Sequence, residues 1–142
     1  MLDVAPVPVV VDASFAVEVL DGPSEYRSAW KQWRKEDRMI LVPGHFWVEV
    51  GNALLRGVRL SAFDAAARLE RLAEAGAEVA DRGADGVRDA IGIAAKHRLT
   101  VYDALYLQLA LDTDAELATL AAGLAAAARA SGVACLDARL IT

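Results

Sequence analysis

The chain has 142 residues, 56% of them hydrophobic, and a formal net charge of −5. This length fits a single domain, 1–142, and the negative charge disfavours a protein that wraps nucleic acid nonspecifically through a broad basic surface. No segment reaches the roughly 20 apolar residues that span a bilayer, and Met1-Leu2-Asp3 lacks the basic start of a secretory signal. We therefore expect a cytoplasmic protein with no membrane partner. The one cysteine, Cys135, excludes an intrachain disulfide, and its apolar neighbours predict a buried position.

The first predicted element is a short buried strand, Val7–Val11, which ends at Asp12. It is a β-branched run with Pro8 near its start, where a proline does not interrupt a sheet ladder. A carboxylate at the end of a central parallel strand lies at the edge where open α/β folds bind ligands. Asp12 or Ser14 could equally cap the following helix, so this stretch alone leaves both interpretations open.

The next predicted helix follows a turn at Asp21–Ser24, with Ser24 as its cap, and runs to about Asp37. Its spacing groups three aromatic residues on one face and four cations on a neighbouring face: Tyr26, Trp30 and Trp33, and Arg27, Lys31, Arg34 and Arg38. A basic strip beside aromatics suits RNA phosphates and bases. An ordinary amphipathic helix, with aromatics inside and charges in solvent, explains the same pattern, and we favour that interpretation.

A second buried strand, Met39–Val42, precedes a helix predicted over Gly44–Gly57. Phe46, Val50, Ala53 and Leu54 supply its apolar face. Glu49 lies among these apolar residues, and a carboxylate there is costly unless it is paired or bound to metal. Asn52 and Arg56 continue the polar line from Glu49, and Arg56 is a possible structural partner. His45 precedes Glu49 by four residues, a spacing that metals use, but we interpret it as a helix-start residue.

The middle of the chain predicts three helices and a weak strand. Ser61–Asp64 resembles a capping box and opens a helix to about Ala75, and Ala77–Ala80 is the strand. A helix over Asp85–His97 is predicted to turn Val87, Ile91 and Ala95 inward. The apolar helix Leu99–Ala110 carries Asp103 in its first turn, where the helix dipole and free amides also favour an acid for purely structural reasons.

The last elements are a buried strand at Leu117–Leu120, a helix over Ala121–Ala130 and a final strand at Val133–Leu136. The junction at Ala121 is unusual, because a strand-to-helix turn normally offers Asp, Asn, Ser or Thr as the cap. An alanine there costs about 1 kcal/mol. A residue that departs from the local structural preference in this way often marks a functional position or an altered residue.

Alternating strands and helices predict a parallel α/β sandwich with right-handed crossovers. Asp12, Glu49 and Asp103 then lean over one edge of the sheet. Several carboxylates without cysteine or histidine suit Mg²⁺ or Mn²⁺, which would relieve their mutual repulsion. A divalent cation there can activate water and stabilise an in-line displacement at phosphorus, so phosphodiester hydrolysis is the natural inference.

Four motifs, in order, resemble the PIN-domain ribonucleases, specifically the VapC-type toxins. They are Val-Val-Asp12-Ala-Ser14, Glu49-Val-Gly-Asn52-Ala-Leu, Tyr102-Asp103-Ala-Leu-Tyr and Leu117-Ala-Thr-Leu. The resemblance covers nearly the entire chain. It implies a three-layer sandwich around a five-stranded, mostly parallel sheet and a Mg²⁺- or Mn²⁺-dependent endoribonuclease. It also implies a homodimer, neutralised by a cognate VapB-type antitoxin.

Carried over by motif, Asp12, Glu49 and Asp103 would be metal-binding catalytic acids. Ser14 would be an auxiliary contact and Asn52 a weaker one. The family pattern places a fourth acid directly after the Leu-Ala-Thr-Leu strand, where this chain has Ala121. Asp112 and Asp114 precede that strand, and Asp137 follows another, so none is an obvious substitute. The hypothesis is that Ala121 marks a catalytically impaired chain.

Two other classes of protein are considered. A non-catalytic module of the same fold, binding an antitoxin or RNA, is the main alternative. A receiver domain or a haloacid-dehalogenase-like phosphatase is disfavoured. The phosphatase expects an acid where Ser14 stands, and the receiver expects a lysine at a late strand end. The lysines here are elsewhere, at Lys31, Lys35 and Lys96.

Overall fold

The computed structural model describes residues 5–137, with the side chains described as far as residue 136. The elements in chain order are β1 (Val9–Val11), α1 (Ala13–Asp21), α2 (Ser24–Lys35), β2 (Ile40–Val42), α3 (Phe46–Asn52) with a π-helical extension (Ala53–Gly57), α4 (Ala62–Glu74), β3 (Ala77–Val79), α5 (Ala84–His97), α6 (Val101–Thr113), β4 (Glu116–Thr119), α7 (Ala122–Ala130) and β5 (Cys135–Asp137). The predicted strands are therefore all present. Four of them are shorter than predicted, whereas β4 has the predicted length but lies one residue earlier in the chain.

The five strands form one parallel sheet in the order β3-β2-β1-β4-β5. The crossovers run one way from β1 to β3 and the opposite way from β3 to β5. Right-handed connections therefore put α1–α4 on one face and α5–α7 on the other, which is the predicted three-layer α/β fold. The direction changes beside β1, whose carboxyl end is the expected ligand position.

The core lies on both faces of β1, β2 and β4. Val9, Val10 and Val11 are fully buried, as a continuous apolar run in a central strand predicts. The aromatic face of α2 is also buried, with Phe15 of α1 packed 5.3 Å from Tyr26 and 5.5 Å from Trp33 between ring centroids. This confirms the amphipathic interpretation of the helix. No helix in the described part of the chain is long and apolar enough to cross a membrane.

One prediction about the core is wrong. Val87 and Ile91 do not turn inward on α5: they are 38% and 53% exposed, and Ala95 is exposed as well. The buried stripe instead consists of Gly86, Ala90 and Ala94. Ala90 and Ala94 form a small core with Ala104 of α6. Small side chains let the two helices approach closely, and this close packing decides which stripe is buried.

Three smaller predictions also change. Pro23, not Ser24, occupies the N-cap position of α2, and it offers no side-chain oxygen to the helix. Cys135 is only partly buried. Asp137 is the last residue of β5 rather than a residue beyond it. Ser61 does cap α4, by accepting a 3.1 Å hydrogen bond from the Asp64 amide, as the sequence predicts.

Candidate active site at the carboxyl edge of the sheet

Asp12 ends β1 and begins α1, and it is only 4% exposed. Its Oδ1 accepts hydrogen bonds from the Phe15 amide, at 3.0 Å, and from the Ser14 hydroxyl, at 2.6 Å. Its Oδ2 accepts a hydrogen bond from the Thr119 hydroxyl at the end of β4. Asp12 is therefore the helix cap and also part of a buried polar cluster. Ser14 contributes to that cluster but does not cap the helix.

The two hydroxyls connect Asp12 to the loop that carries Ala121. The Ser14 hydroxyl accepts a 3.0 Å hydrogen bond from the Leu120 amide. The Thr119 hydroxyl accepts a 3.0 Å hydrogen bond from the Ala121 amide. Ala121 is the N-cap of α7 and provides no side-chain cap, as predicted. The Thr119 hydroxyl therefore bridges the backbone amide of residue 121 and the Asp12 carboxylate.

Glu49 projects from α3 and meets two partners. The Tyr106 hydroxyl of α6 donates a 2.6 Å hydrogen bond to Oε1, and Nε2 of His45 lies 2.9 Å from the same oxygen. Burial opposes ionisation, but His45 and the Tyr106 hydrogen bond outweigh it, so the pKa of Glu49 is lowered. These residues, rather than Arg56, stabilise the carboxylate, and Arg56 is exposed.

His45 occupies the N-cap position of α3, as predicted, but its side chain forms no capping bond. The ring packs against Tyr106 and Tyr102, with centroid distances of 5.0 and 5.7 Å. Its Nε2 atom is buried and is not aligned for a hydrogen bond with any described side chain. The 2.9 Å contact with Glu49 is therefore best described as an ion pair that forms when the imidazole is protonated.

Asp103 lies in the first turn of α6, but its carboxylate does not cap the helix. Thr100 does so, because its hydroxyl accepts a 3.1 Å hydrogen bond from the Asp103 amide. Burial raises the pKa of Asp103, and the charge of Glu49 raises it further, against a smaller opposing effect of His45. Helix capping therefore does not explain why residue 103 is an acid, and its carboxylate is available to bind another group.

The three acids interact electrostatically although they come from different layers. Burial raises the pKa of Asp12 more than its three hydrogen bonds lower it, and the charge of Asp103 raises it as well. Within residues 5–136, no lysine or arginine forms an ion pair with Asp12, Glu49 or Asp103. The site therefore concentrates negative charge with only His45 as a possible internal counterion.

The donor chemistry fits a hard divalent cation, since it consists of carboxylate and hydroxyl oxygens. As they stand, however, no three acidic, histidine or cysteine side chains of the described residues converge closely enough to hold a metal. Asp12 directs its oxygens to hydroxyl and amide groups, and Glu49 directs Oε1 to Tyr106 and His45. A cation would have to draw these side chains from their present partners.

The remaining predicted site residues form no hydrogen bond or ion pair with the three carboxylates within the described part of the chain. Asn52 is exposed at the end of α3. Arg27 and Arg34 lie on α2 near the opposite edge of the sheet: Arg27 donates to the Gly22 carbonyl, and the Arg34 guanidinium lies against Gly76, just before β3 begins. Lys31 lines the same surface. These cations do not border the carboxylates, and their contact with RNA stays a prediction.

Sequence reasoning missed three contributors to the site. Tyr106 follows Asp103 by three residues and therefore shares its face of α6. Thr119 is the last residue of β4, and the pairing of Val11 with Ala118 brings it beside Asp12. Asp81 follows β3 and accepts hydrogen bonds from the amides of Gly44 (2.7 Å) and Gly83 (3.0 Å), which lower its pKa. Its position after a strand was the available signal.

Three solved structures share the fold, each at a sequence identity that establishes the fold alone. PAE2754 from Pyrobaculum aerophilum is 24% identical, with a TM-score of 0.69 over 95% of this chain and 93% of that chain. VapC20 from Mycobacterium tuberculosis, described as a Sarcin-Ricin loop cleaving toxin, is 18% identical, with a TM-score of 0.67 over 84% and 94%. VapBC2 from Rickettsia felis, solved bound to a DNA fragment from the promoter, is 15% identical, with a TM-score of 0.67 over 91% and 97%.

No curated protein is similar enough in sequence to count as a match. A family model does match, and it covers the region from β1 to the end of α7. The matched residues are 9–130, and the model is that of the PIN domain. This span includes all three carboxylates and the position of Ala121. The chain therefore belongs to the PIN domain family.

Proposed function

We propose that this chain is a VapC-type toxin, a Mg²⁺- or Mn²⁺-dependent endoribonuclease that hydrolyses RNA phosphodiesters, and that Ala121 impairs its catalysis. The observation that carries the proposal is the electrostatic coupling of Asp12, Glu49 and Asp103 at one sheet edge, where no lysine or arginine of residues 5–136 pairs with them. PIN domains are generally nucleases, and the likeness to VapC20 supports a toxin.

In this proposal the three carboxylates hold the cation, and Asp12 is its most rigid ligand. Asp12 is oriented by Ser14, Thr119 and the Phe15 amide, and a cation would compete with these donors for its two oxygens. Glu49 and Asp103 face it from opposite layers of the sandwich. A bound divalent cation would supply activation of water and charge stabilisation at phosphorus. The Tyr106 hydroxyl, whose pKa is raised by burial and by Glu49, stays protonated and orients Glu49 as a donor.

The impairment follows from the position of Ala121. Its amide bonds to Thr119, which bonds to Asp12, so a carboxylate at residue 121 would extend the acid cluster on its β4 side. Alanine leaves that side without a ligand. We expect weaker binding of a cation and slower cleavage, with an unchanged fold.

The proposed partners are a VapB-type antitoxin, an RNA substrate and a second copy of the chain, in the cytoplasm. The VapBC2 likeness supports the antitoxin. A homodimer needs an exposed apolar surface, and the exposed stripe of α5, formed by Val87, Ile91 and Ala95, offers one. Burying this stripe between two copies would explain why large apolar residues face outward on α5.

A non-catalytic PIN module that binds an antitoxin or RNA is the second candidate. It is favoured by the same alanine and by the absence, within the described residues, of three metal-ligating side chains that already converge. This candidate predicts that restoring an acid at residue 121 changes nothing in catalysis.

The deciding experiment compares the chain with its Ala121→Asp variant in Mg²⁺-dependent cleavage of total bacterial RNA, followed by mapping of new 5′ ends. Ala121→Asp combined with Asp12→Asn is the control, because asparagine can still accept the Phe15 amide bond that caps α1. Mn²⁺ binding is measured by calorimetry on the same samples.

We expect Ala121→Asp to bind Mn²⁺ more tightly and to cleave at defined positions, and Asp12→Asn to abolish both gains. If Ala121→Asp is folded but neither binds Mn²⁺ more tightly nor cleaves, the proposed metal site is wrong. The non-catalytic module then becomes the better description.

A further inference from the structure

Tyr102 is an exposed aromatic side chain at the candidate active site. Its ring is 63% exposed, and it directly precedes Asp103 in the first turn of α6. The other two tyrosines, Tyr26 and Tyr106, are buried. Among the described aromatic residues only Phe63, on α4, is exposed as well. Exposure alone is ordinary for a single ring, so the position of Tyr102 beside the carboxylates is what distinguishes it.

The Tyr102 ring is connected to the carboxylates through His45. The two rings lie in contact, with a centroid distance of 5.7 Å and an interplanar angle of 60°. The same imidazole packs against Tyr106 and places its Nε2 2.9 Å from Oε1 of Glu49. One imidazole ring therefore separates Tyr102 from the Glu49 carboxylate. A nucleobase that reaches the Tyr102 ring belongs to a nucleotide close to any phosphate that lies at the carboxylates.

The His45 contact orients the Tyr102 ring without covering it. The two rings meet at an angle rather than face to face, and more than half of the Tyr102 side chain stays accessible. His45 is held in turn by Tyr106, which is buried and donates its hydrogen bond to Glu49. A ring that is oriented in advance loses less side-chain entropy on binding, and tyrosine has few rotatable bonds to lose.

The charge of the site favours an uncharged contact with a nucleic acid. Asp12, Glu49 and Asp103 repel a polyanion, and no lysine or arginine of residues 5–136 pairs with them. A bound cation would attract the phosphate it touches. Stacking of a base on an aromatic ring requires no opposite charge, and every base has a face that can take part. An exposed tyrosine is therefore suited to holding RNA at this acidic edge.

We propose that Tyr102 forms a subsite for an unpaired nucleobase, which stacks on the tyrosine ring while the neighbouring phosphate lies at the carboxylates. This inference rests on the function proposed above and adds to it a contact with a base beside the cleaved bond. The ring face makes the contact, so the phenol hydroxyl is not required. Bases within a duplex have both faces covered, so the nucleotide bound here is unpaired.

The test is an NMR titration of the whole chain with isotope-labelled tyrosine rings in the presence of Mg²⁺. The chain has three tyrosines, of which two are buried, so the ring signals of Tyr102 are readily assigned. The ligands are an oligoadenylate of about eight nucleotides and an abasic ribose-phosphate strand of equal length and charge. Denaturing gels of the same samples show whether the strand is cut, which reports on the proposed cleavage separately.

The protein variants are Tyr102→Phe, which keeps the ring, and Tyr102→Ala, which removes it. Phe63→Ala is the matched control, because it removes an exposed ring from α4 that makes no ring contact with a described residue. Fluorescence anisotropy of a labelled oligoadenylate measures the affinity of each variant. Sedimentation analysis of the same variants measures their oligomeric state.

We expect oligoadenylate to move the Tyr102 ring signals upfield, because a stacked base shields them, and the abasic strand to leave them in place. Tyr102→Ala should weaken binding about tenfold, whereas Tyr102→Phe and Phe63→Ala should stay within about twofold of the parent. Equal shifts with the two strands, or equal losses in Tyr102→Ala and Phe63→Ala, would overturn the proposal. No binding of oligoadenylate at about 1 mM would overturn it as well.

Failure of this subsite and failure of the proposed function give different results. If Ala121→Asp gains Mn²⁺ binding and cleavage while Tyr102→Ala binds oligoadenylate as tightly as the parent does, only the subsite is wrong. If oligoadenylate stacks on Tyr102 while Ala121→Asp gains neither property, the chain binds RNA without cleaving it and the subsite stands. A change of oligomeric state in Tyr102→Ala would overturn the subsite and assign the ring to a contact between copies.

Discussion

The Tyr106 hydroxyl donates a 2.6 Å hydrogen bond to Oε1 of Glu49, and this bond joins α6 to α3 over the carboxyl edge of the sheet. The two helices belong to opposite layers of the sandwich. Tyr106 is 1% exposed, so its hydroxyl has no access to water as a substitute partner. The bond therefore fixes the carboxylate and also closes the end of the core.

Tyr106→Phe should lower the free energy of unfolding by about 2 kcal/mol, because it removes a hydrogen bond to a charged group and leaves the carboxylate less well solvated. Urea unfolding at pH 7 measures the loss. Tyr102→Phe is the matched control, since Tyr102 is 63% exposed. We expect that variant to stay within about 0.5 kcal/mol of the parent, and an equal loss in both variants would contradict the assignment.

The deficit of Tyr106→Phe should depend on pH. The pKa of Glu49 is lowered below its ordinary value of 4.5. Its stabilising effect is therefore present above the unfolded pKa and disappears as the pH falls through the folded pKa. The difference between the parent and Tyr106→Phe should shrink in unfolding experiments as the pH falls below 4.5, the ordinary pKa of the carboxyl. A constant difference from pH 7 to acid would show that the hydroxyl acts through packing alone.

Asp103→Asn should stabilise the protein at neutral pH. Burial and Glu49 raise the pKa of Asp103 above 3.8, so the ionised form is disfavoured in the folded chain. The contribution of the protonated Asp103 carboxyl to the stability of the parent is fully present below the unfolded pKa. This contribution is lost as the pH rises through the folded pKa. The advantage of asparagine should thus be present at pH 7 and vanish near pH 3.8 and below, in thermal unfolding curves.

The control for that variant is Asp85→Asn, which changes an acid in the first turn of α5 that is exposed and paired with Arg88. It should show no gain at pH 7. Added Mg²⁺ provides a second check, because a cation bound by the folded state raises the melting temperature. The parent should gain from Mg²⁺ and Asp103→Asn should gain less; equal gains would remove Asp103 from the proposed metal ligands.

The sequence predicts the sheet well because its strands are buried on both faces. Val9–Val11 and Ile40–Val42 are apolar at every position, so a short continuous run is sufficient to identify them. It predicts α5 badly, because two faces of this helix show the same helical spacing. One face carries Val87 and Ile91, and the other carries Ala90 and Ala94. Local periodicity favours the larger residues, whereas the close packing of α5 on α6 selects the smaller ones.

The sequence identifies the acids of the candidate site, but not the residues that form hydrogen bonds with them. Asp12 is identifiable because it interrupts an apolar run. Tyr106 is not, because a tyrosine in an apolar helix is an ordinary core residue until its partner on another helix is known. Thr119 likewise has meaning only through the register of β1 with β4, which places its hydroxyl beside Asp12. Contacts between distant segments carry this information.

The exposed stripe of α5 leads to a prediction about assembly. If Val87 and Ile91 are buried between two copies, Ile91→Glu should convert a dimer to a monomer in sedimentation analysis, because each copy would bury an unpaired charge in an apolar contact. Phe63→Glu is the control, since Phe63 is 83% exposed on α4. A monomeric parent, or a dimer that survives Ile91→Glu, would exclude this face as the interface.

The uncapped start of α7 allows the structural role of residue 121 to be tested apart from its proposed role in metal binding. Ala121→Asn and Ala121→Asp both provide a side-chain oxygen at the N-cap position, where a good cap contributes about 1 kcal/mol. Asparagine should give that gain with or without Mg²⁺. Aspartate should give less without Mg²⁺, because it adds a charge near Asp12, and should recover the full gain when Mg²⁺ is added. Thermal unfolding of the two variants, with EDTA or Mg²⁺, measures this difference directly. Identical behaviour of asparagine and aspartate in both conditions would mean that residue 121 lies outside any metal site and that its alanine is only a missing helix cap.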